Sequence, residues 1–375
     1  MTDKFAQVLT ELEASGNFRK IPDEATGELV DLSSNDYMGI AADKKLLEEF
    51  YAQTPAGAFR FSSSASRLLS DRQTEFFALE NLLASLYHKE ALIFNSGYHC
   101  NTGVISALAD KSTLILADKL VHASIIDGII LSRAEFTRFR HNDLNHLRTL
   151  LEKNSGHYET ILVVVESIYS MDGDICNLQE LVALKKDFPN VLLYVDEAHG
   201  FGVRGKYGLG IAEEYNVIPD IDILVGTLGK AAASAGAFVI TNDILKKFLI
   251  NKARSFIFST ALPPISCLWS KFVVEKLTEM ESRRAHLLET SEFLNEHFAT
   301  YNQDIRSHSQ IVPLIVGDSK KAVDLSVRLK NLGYQALPIR TPTVPKGTER
   351  IRFSLNADIT TETAKKLLTD LKTIL

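Results

Sequence analysis

Six short runs of apolar residues, rich in Val, Ile and Leu, punctuate the first two thirds of the chain. They fall at 91–94, 114–117, 161–165, 191–195, 221–225 and 237–240. Most lack strict alternation, which is the pattern of strands buried on both faces. Stretches with helical spacing separate them, for example 142–153 and 178–187. Strand, helix and strand in succession predict an α/β fold with a mostly parallel central sheet covered by helices. Ligands of open parallel sheets sit at the carboxyl ends of the strands, so the loops that follow these runs are where chemistry is expected.

The pattern changes after Pro263-Pro264. The charged amphipathic stretch 270–298 reads as one long helix. A smaller α+β unit follows, with a strand at 311–316, a helix at 320–332, strands near 335–339 and 350–355, and a last helix at 360–375. A chain of 375 residues exceeds what one core normally serves. The expected organisation is an N-terminal helical segment over residues 1–34, a large domain over 35–265 and a small α+β domain over 266–375. Phe5, Val8, Leu9 and Leu12 fall at helical spacing before Gly16, and no signal-peptide core precedes them. No apolar run approaches the roughly 20 residues that span a bilayer. Cys100, Cys176 and Cys267 are scattered singly, which favours a reducing cytoplasm over a disulfide framework. The net charge of −6 gives no global basic bias toward nucleic acid or an anionic membrane.

Three loops carry candidate chemistry. The run 191–195 ends in Asp196-Glu197-Ala198-His199-Gly200. A carboxylate at the mouth of a buried strand can pair with a cationic ring nitrogen and favour its charged form. A capping Asp and a surface His would read the same way. The run 221–225 continues into Gly226-Thr227-Leu228-Gly229-Lys230. Thr227 can donate to a phosphate, and a partly desolvated Lys230 could form an imine, although a solvated loop Lys is the simpler reading. The run 91–94 leads into Asn95-Ser96-Gly97-Tyr98 and a helical stretch, where backbone N–H groups suit a phosphate or merely begin a helix.

A competing signal is Gly200-Phe201-Gly202-Val203-Arg204-Gly205, which matches GxGxxG. These glycines do not follow the strand directly, and more loop follows Gly205, so a dinucleotide site is not expected. His141, His146 and His157 lie in polar surroundings and are expected at the surface. No HExxH or Cys/His cluster suggests a metal. No GxSxG elbow suggests a serine hydrolase.

Asp196-x-x-His199 followed by Thr227-x-x-Lys230 resembles the fold-type I pyridoxal 5'-phosphate enzymes. The wording of Leu32–Tyr37, Ser96-Gly97-Tyr98, His122-Ala123-Ser124, Ser170–Asp174 and Thr341–Arg352 narrows the resemblance to the α-oxoamine synthases, from about Arg19 to the end. Enzymes of that family condense an amino acid with an acyl thioester and release CO2. The resemblance implies Lys230 as Schiff-base lysine and proton shuttle, and Asp196 on the pyridine nitrogen. It puts His199 and Ser170 at the phenolic edge and His122 on the ring face. Gly97, Tyr98 and Thr227 would hold the phosphate, with Ser259 and Thr260 reaching a neighbouring subunit's phosphate in a homodimer. Arg352 would bind the amino-acid carboxylate, and Arg19, Asn35 and Thr343 the acyl substrate. Arg340-Thr-Pro-Thr-Val-Pro resembles the biotin branch, which joins L-alanine to a pimeloyl thioester on coenzyme A or acyl carrier protein. The sibling reactions that use glycine or serine stay open on this reading.

Two stretches depart from the family. Phe61-Ser-Ser-Ser-Ala-Ser-Arg67 replaces a Gly-rich segment, and Ser70-Asp71-Arg72-Gln73 lacks the usual Gly-x-His character. Alanines also stand at 231–233, 235 and 237, around Ser234 and Gly236, where glycines are commoner.

Overall fold

The computed structural model describes residues 2–21, 28–302 and 307–375. The chain forms two compact units. The larger comprises Met38–Tyr169 and Ile175–Arg284, and the smaller comprises Met1–Tyr37, Ser170–Asp174 and Ala285–Leu375.

The larger unit is built on a seven-stranded sheet. Its order is Glu90–Phe94, Ala237–Thr241, Ile223–Thr227, Val191–Asp196, Thr160–Glu166, Thr113–Asp118 and Glu135–Phe139. Only Ala237–Thr241 runs antiparallel to its two neighbours, so the sheet is mostly parallel, as the apolar runs predict. Every residue of Thr113–Asp118 is buried, as are Ile161 to Glu166, because helices cover both faces. The edge strand Glu135–Phe139 has no counterpart among the apolar runs. Four of its five residues are exposed and charged residues interrupt it, as suits an edge. Side chains of Asp43, Ser96, Asp143, Asn177 and Asn242 cap the helices that follow them by accepting backbone N–H bonds.

One helix pair matters for the site. Helix Ala123–Ser132 packs on helix Gly97–Leu108 with Gly128 at the crossing. A Cβ at position 128 would stand 2.9 Å from the Asn101 carbonyl oxygen, so only glycine allows this approach. The approach brings Ser124 within 2.9 Å of the Asn101 amide.

The stretch expected as one helix over 270–298 is two, Pro264–Glu279 and Glu281–Asn302, with Met280 between them. Arg284 is buried and its guanidinium donates to the Leu277 carbonyl at 2.5 Å, to Gly205 at 3.1 Å and to Lys206. That side chain satisfies the Leu277 carbonyl near the end of the first helix and ties the break to the loop at 205–206. The division between units therefore falls at 284 and 285, not at 265 and 266, and helix Pro264–Glu279 belongs with the larger unit.

The smaller unit holds the antiparallel sheet Leu337–Ile339, Arg350–Ser354 and Ile311–Ile315, and a parallel pair of Val30–Asp31 with Tyr334–Gln335. The region 335–339 is thus split between two sheets. Helix Asp3–Ala14 forms as its spacing predicts, with no residue buried. Residues 170–174 join this unit rather than the larger one. Arg350 binds Asp172 and the Met171 carbonyl, and the Gly173 carbonyl accepts from His308. Gly173 has φ +72, and a Cβ there would collide with the Ile311 carbonyl oxygen. Among the described residues no helix is long and apolar enough to cross a membrane.

Candidate active site

Four adjacent parallel strands of the larger unit end in polar residues. Asp118, Glu166, Asp196 and Thr227 are each the last residue of a strand, and Glu166 pairs with Asp196 in register. A cavity of about 200 Å³ opens at these ends, lined by Asp196, His122, His199, Thr227, Lys230 and Gly97 among others. Tyr98 also lines it. Seven of the expected site residues are thus together in one unit.

Asp196 is 5% exposed. Its two oxygens are held separately: Oδ1 accepts from the Ala198 backbone at 2.8 Å and Oδ2 from Asn101 Nδ2 at 2.8 Å. Lys230 Nζ lies 2.7 Å from His199 Nε2. His122 caps helix Ala123–Ser132, and its Nδ1 is 2.7 Å from Ser124 Oγ. Burial lowers the pKa of His122; the Asp196 carboxylate opposes this shift and the Lys230 cation adds to it.

Gly97 begins a helix whose cap, Ser96, accepts from His99 N. A Cβ at Gly97 would lie 3.9 Å from both Cβ and Oγ1 of Thr227. A helix N-terminus and a hydroxyl therefore meet at one end of the cavity, which suits a phosphate. The carboxylate of Asp196 and the amine of Lys230 lie along the same cavity. This donor set fits a phosphorylated cationic ring with a carbonyl that a lysine can capture. Tyr98 is half exposed and its hydroxyl donates to Asp127.

Ser259 and Thr260 do not line the cavity. Asn95 Nδ2 donates to Ser259 Oγ at 2.8 Å and to the Thr260 carbonyl at 2.6 Å, and Thr260 is exposed.

Arg352, Asn35 and Ser170 come together in the smaller unit. Arg352 is 8% exposed. Its Nε donates to the Ser170 carbonyl at 2.6 Å, and both terminal nitrogens lie 3.3 Å from Asn35 Oδ1. The Tyr37 and Ser354 hydroxyls complete the set. Every one of these partners is a neutral oxygen. Asn35, grouped by resemblance with the acyl contacts, is therefore a partner of Arg352. Arg19 and Thr343 form a separate pair at 2.9 Å.

Sequence reasoning passed over Asn101 and Glu166. Both line the cavity. Glu166 is buried, accepts from His122 N at 2.5 Å, and burial pushes its pKa well above the ordinary range, with Asp196 adding to the effect. Its position as the last residue of a buried strand was the available signal. His141 is not at the surface as expected: it is half-buried, 2.8 Å from Asp118 and edge-on to Tyr169.

The glycine motif has a structural explanation. Glu197 is fully buried, and added Cβ atoms at Gly200 and Gly210 would collide with its carboxyl. A Cβ at Gly202 would lie 2.6 Å from that of Ala231, and one at Gly205 would strike Glu213. These glycines fold a loop around two glutamates. The departures at 61–73 are also structural. Arg67 makes a bidentate, buried ion pair with Glu80 at 2.8 and 3.1 Å, and Gln73 binds the Arg67 and Ser70 carbonyls at 2.7 Å.

The sequence profile of the family described as "Aminotransferase class I and II" matches residues 27–371. The chain belongs to that family. It is 49% identical, over 98% of its length and 99% of the relative's, to a Haemophilus influenzae (strain 86-028NP) protein named "Putative 8-amino-7-oxononanoate synthase". Among solved structures it is similar to a Sphingomonas wittichii serine palmitoyltransferase, with TM-score 0.89 and 31% identity, covering 100% of this chain and 97% of that one. It is also similar to 8-amino-7-oxononanoate synthase from Francisella tularensis, with TM-score 0.76 and 27% identity, covering 92% and 97%. The fold is that of fold-type I pyridoxal 5'-phosphate transferases, the chain is an enzyme of that kind, and pyridoxal 5'-phosphate is its cofactor.

Proposed function

We propose that this enzyme condenses L-alanine with a pimeloyl thioester, giving 8-amino-7-oxononanoate, CO2 and free thiol, as a step of biotin biosynthesis. The observation that carries this reading is the 49% identity to the Haemophilus influenzae relative over nearly the whole of both chains. The higher TM-score with serine palmitoyltransferase does not favour that substrate. A global backbone score reads the arrangement of strands and helices, whereas identity over the full length includes the residues that face a substrate.

The proposed roles are those implied by the resemblance to the α-oxoamine synthases, and the shared cavity of Gly97, Tyr98, His122, Asp196, His199, Thr227 and Lys230 supports the cofactor contacts among them. Gly97, Tyr98 and Thr227 hold the cofactor's phosphate, Asp196 its ring nitrogen, and His199 and Ser170 its phenolic oxygen. His122 covers the ring. When bound, pyridoxal 5'-phosphate supplies a carbonyl for capture of an amine and a cationic ring that takes up charge left at the amino acid's Cα. Lys230 would hold the cofactor through its amine and, once released from it, would be the base that takes the Cα proton and returns it to the product. The neutral shell of Arg352 leaves its positive charge for a ligand, and a planar guanidinium held in place by Ser170, Asn35, Tyr37 and Ser354 matches the alanine carboxylate once the long 3.3 Å contacts to Asn35 and Tyr37 give way. Arg19, Asn35 and Thr343 contact the acyl substrate, whose carrier is coenzyme A or acyl carrier protein.

We propose further that the chain acts as a cytoplasmic homodimer, Ser259 and Thr260 reaching the phosphate held by a second copy. Thr260 is exposed, and the neighbouring Phe258 is 71% exposed, as a residue awaiting a partner would be.

The test is product formation by the cofactor-loaded protein. Mass spectrometry of reactions with L-alanine and pimeloyl-CoA should show the amino-ketone. Turnover with glycine and acetyl-CoA, or with serine and palmitoyl-CoA, but not with alanine, would move the substrate to a sibling reaction.

A further inference from the structure

Asp196 and His122 are joined by a chain of side chains that has one direction. Tyr194 OH donates to Asn101 Oδ1 at 2.6 Å. Asn101 Nδ2 donates to Asp196 Oδ2 at 2.8 Å and to Ser124 Oγ at 2.9 Å. Ser124 Oγ lies 2.7 Å from His122 Nδ1. Tyr194, Asn101 and Ser124 are all buried, so water does not substitute for a missing partner without cost.

The donor and acceptor inventory fixes how protons are placed along this chain. An amide turned over would set its oxygen against a carboxylate oxygen and its NH2 against a phenol. With the phenol donating to Oδ1, the NH2 faces Asp196 and Ser124. Ser124 Oγ, already accepting from Asn101, has one hydrogen left to give, and Nδ1 of His122 is the neighbour that takes it. Ser124 N also donates to that Nδ1, at 3.2 Å. A ring nitrogen that accepts two hydrogen bonds carries no proton. The neutral imidazole therefore holds its hydrogen on Nε2.

We propose that Asn101 is the positioning residue of this cofactor site: it fixes the Asp196 carboxylate and, through Ser124, sets His122 as the Nε2–H tautomer, while Tyr194 keeps the amide from turning over. The inference rests on the site being the cofactor site and is independent of which amino acid and thioester react there. Burial of His122, which disfavours its charged form, acts in the same direction.

The experiment is nitrogen NMR of the full-length protein labelled at its histidine rings, recorded without and with pyridoxal 5'-phosphate. His122→Gln assigns the resonances. The wild-type protein should show His122 Nδ1 unprotonated and Nε2 protonated in both states. Asn101→Ala and Ser124→Ala should each shift the ring toward a mixture of tautomers, and Tyr194→Phe should do so to a smaller degree. In the loaded protein, Asn101→Ala should also move the pH at which the visible band of the bound cofactor titrates, whereas Ser124→Ala should move it less. A proton on Nδ1 of wild-type His122 overturns the proposal. So does an unchanged ring in folded Asn101→Ala or, should that variant not fold, in Ser124→Ala, which cuts only the His122 arm. A wrong assignment of substrates would instead appear as lost product with the tautomer unchanged.

Discussion

The amine of Lys230 lies 2.7 Å from Nε2 of His199. This pair joins the loops that follow two strands, one carrying the proposed nucleophile and the other the ring beside it. Lys230→Ala should lower turnover by at least the roughly 10²–10⁴-fold that a positioned base contributes. It should also abolish covalent capture of the cofactor by borohydride. His199→Asn should retain capture, since the lysine is intact, while lowering kcat. Mass spectrometry after reduction separates the two.

Arg352 should reveal itself in one substrate only. Truncating one partner of a buried charge pair costs about 2–5 kcal/mol, so Arg352→Gln should raise KM for the amino acid about 30-fold or more. KM for the acyl thioester should stay near its wild-type value. Steady-state kinetics with each substrate varied in turn checks this, and a change confined to the thioester would remove Arg352 from its assigned role.

Glu197 makes stability depend on pH. Burial raises its pKa from 4.5 to about 7. A carboxyl raised in the folded state stabilises the fold fully below its unfolded value, and that contribution is lost as pH rises through the folded value. At 1.36 kcal/mol per pH unit, this group should remove roughly 3 kcal/mol of stability between pH 4.5 and 7. Glu197→Gln, a neutral side chain of the same shape, should flatten that part of the curve in urea titrations across the pH range.

The ion pair of Arg67 and Glu80 is buried on both sides, at 8% and 4% exposure. Glu80 Oε1 also accepts from Ile93 N at 3.0 Å. Removing one member leaves a buried charge alone, which costs about 3–5 kcal/mol. Glu80→Ala should therefore lower the thermal midpoint by several degrees, whereas Arg72→Ala, on an exposed neighbour, should leave it within error.

Gly128 links packing to chemistry. Gly128→Ala should cost about 1–3 kcal/mol through overpacking, and it should also perturb the Ser124–Asn101 contact. Reduced activity in a variant that still folds, with the His122 resonances displaced, is the expected outcome of calorimetry, assay and NMR together.

The sheet was legible because its inner strands are buried on both faces and so read as unbroken apolar runs. Glu135–Phe139 escaped because an exposed edge strand needs no such run. Asp196, His199, Thr227 and Lys230 were legible because they follow those runs at strand ends, where a ligand can reach them. Asn101 was not, since it lies mid-turn in a helix and its importance comes from Ser124 and Tyr194, which are distant in sequence. The break at Met280 was hidden for a related reason: it is accompanied by Arg284 reaching the carbonyls of Gly205 and Lys206, a pairing that no local spacing encodes. The glycines at 200–205 imitate a nucleotide fingerprint because close approach of backbone to a side chain requires the same residue as close approach to a phosphate.

The two-sided hold on Asp196 has a consequence for how the holoenzyme is made. Its oxygens are already tethered to Asn101 and Ala198 within the protein's own framework. On the proposed role, the carboxylate should lose little rotational freedom when the cofactor docks, because that entropy was surrendered during folding. Cofactor loading should accordingly resemble insertion into a finished socket, with little reorganisation around the carboxylate.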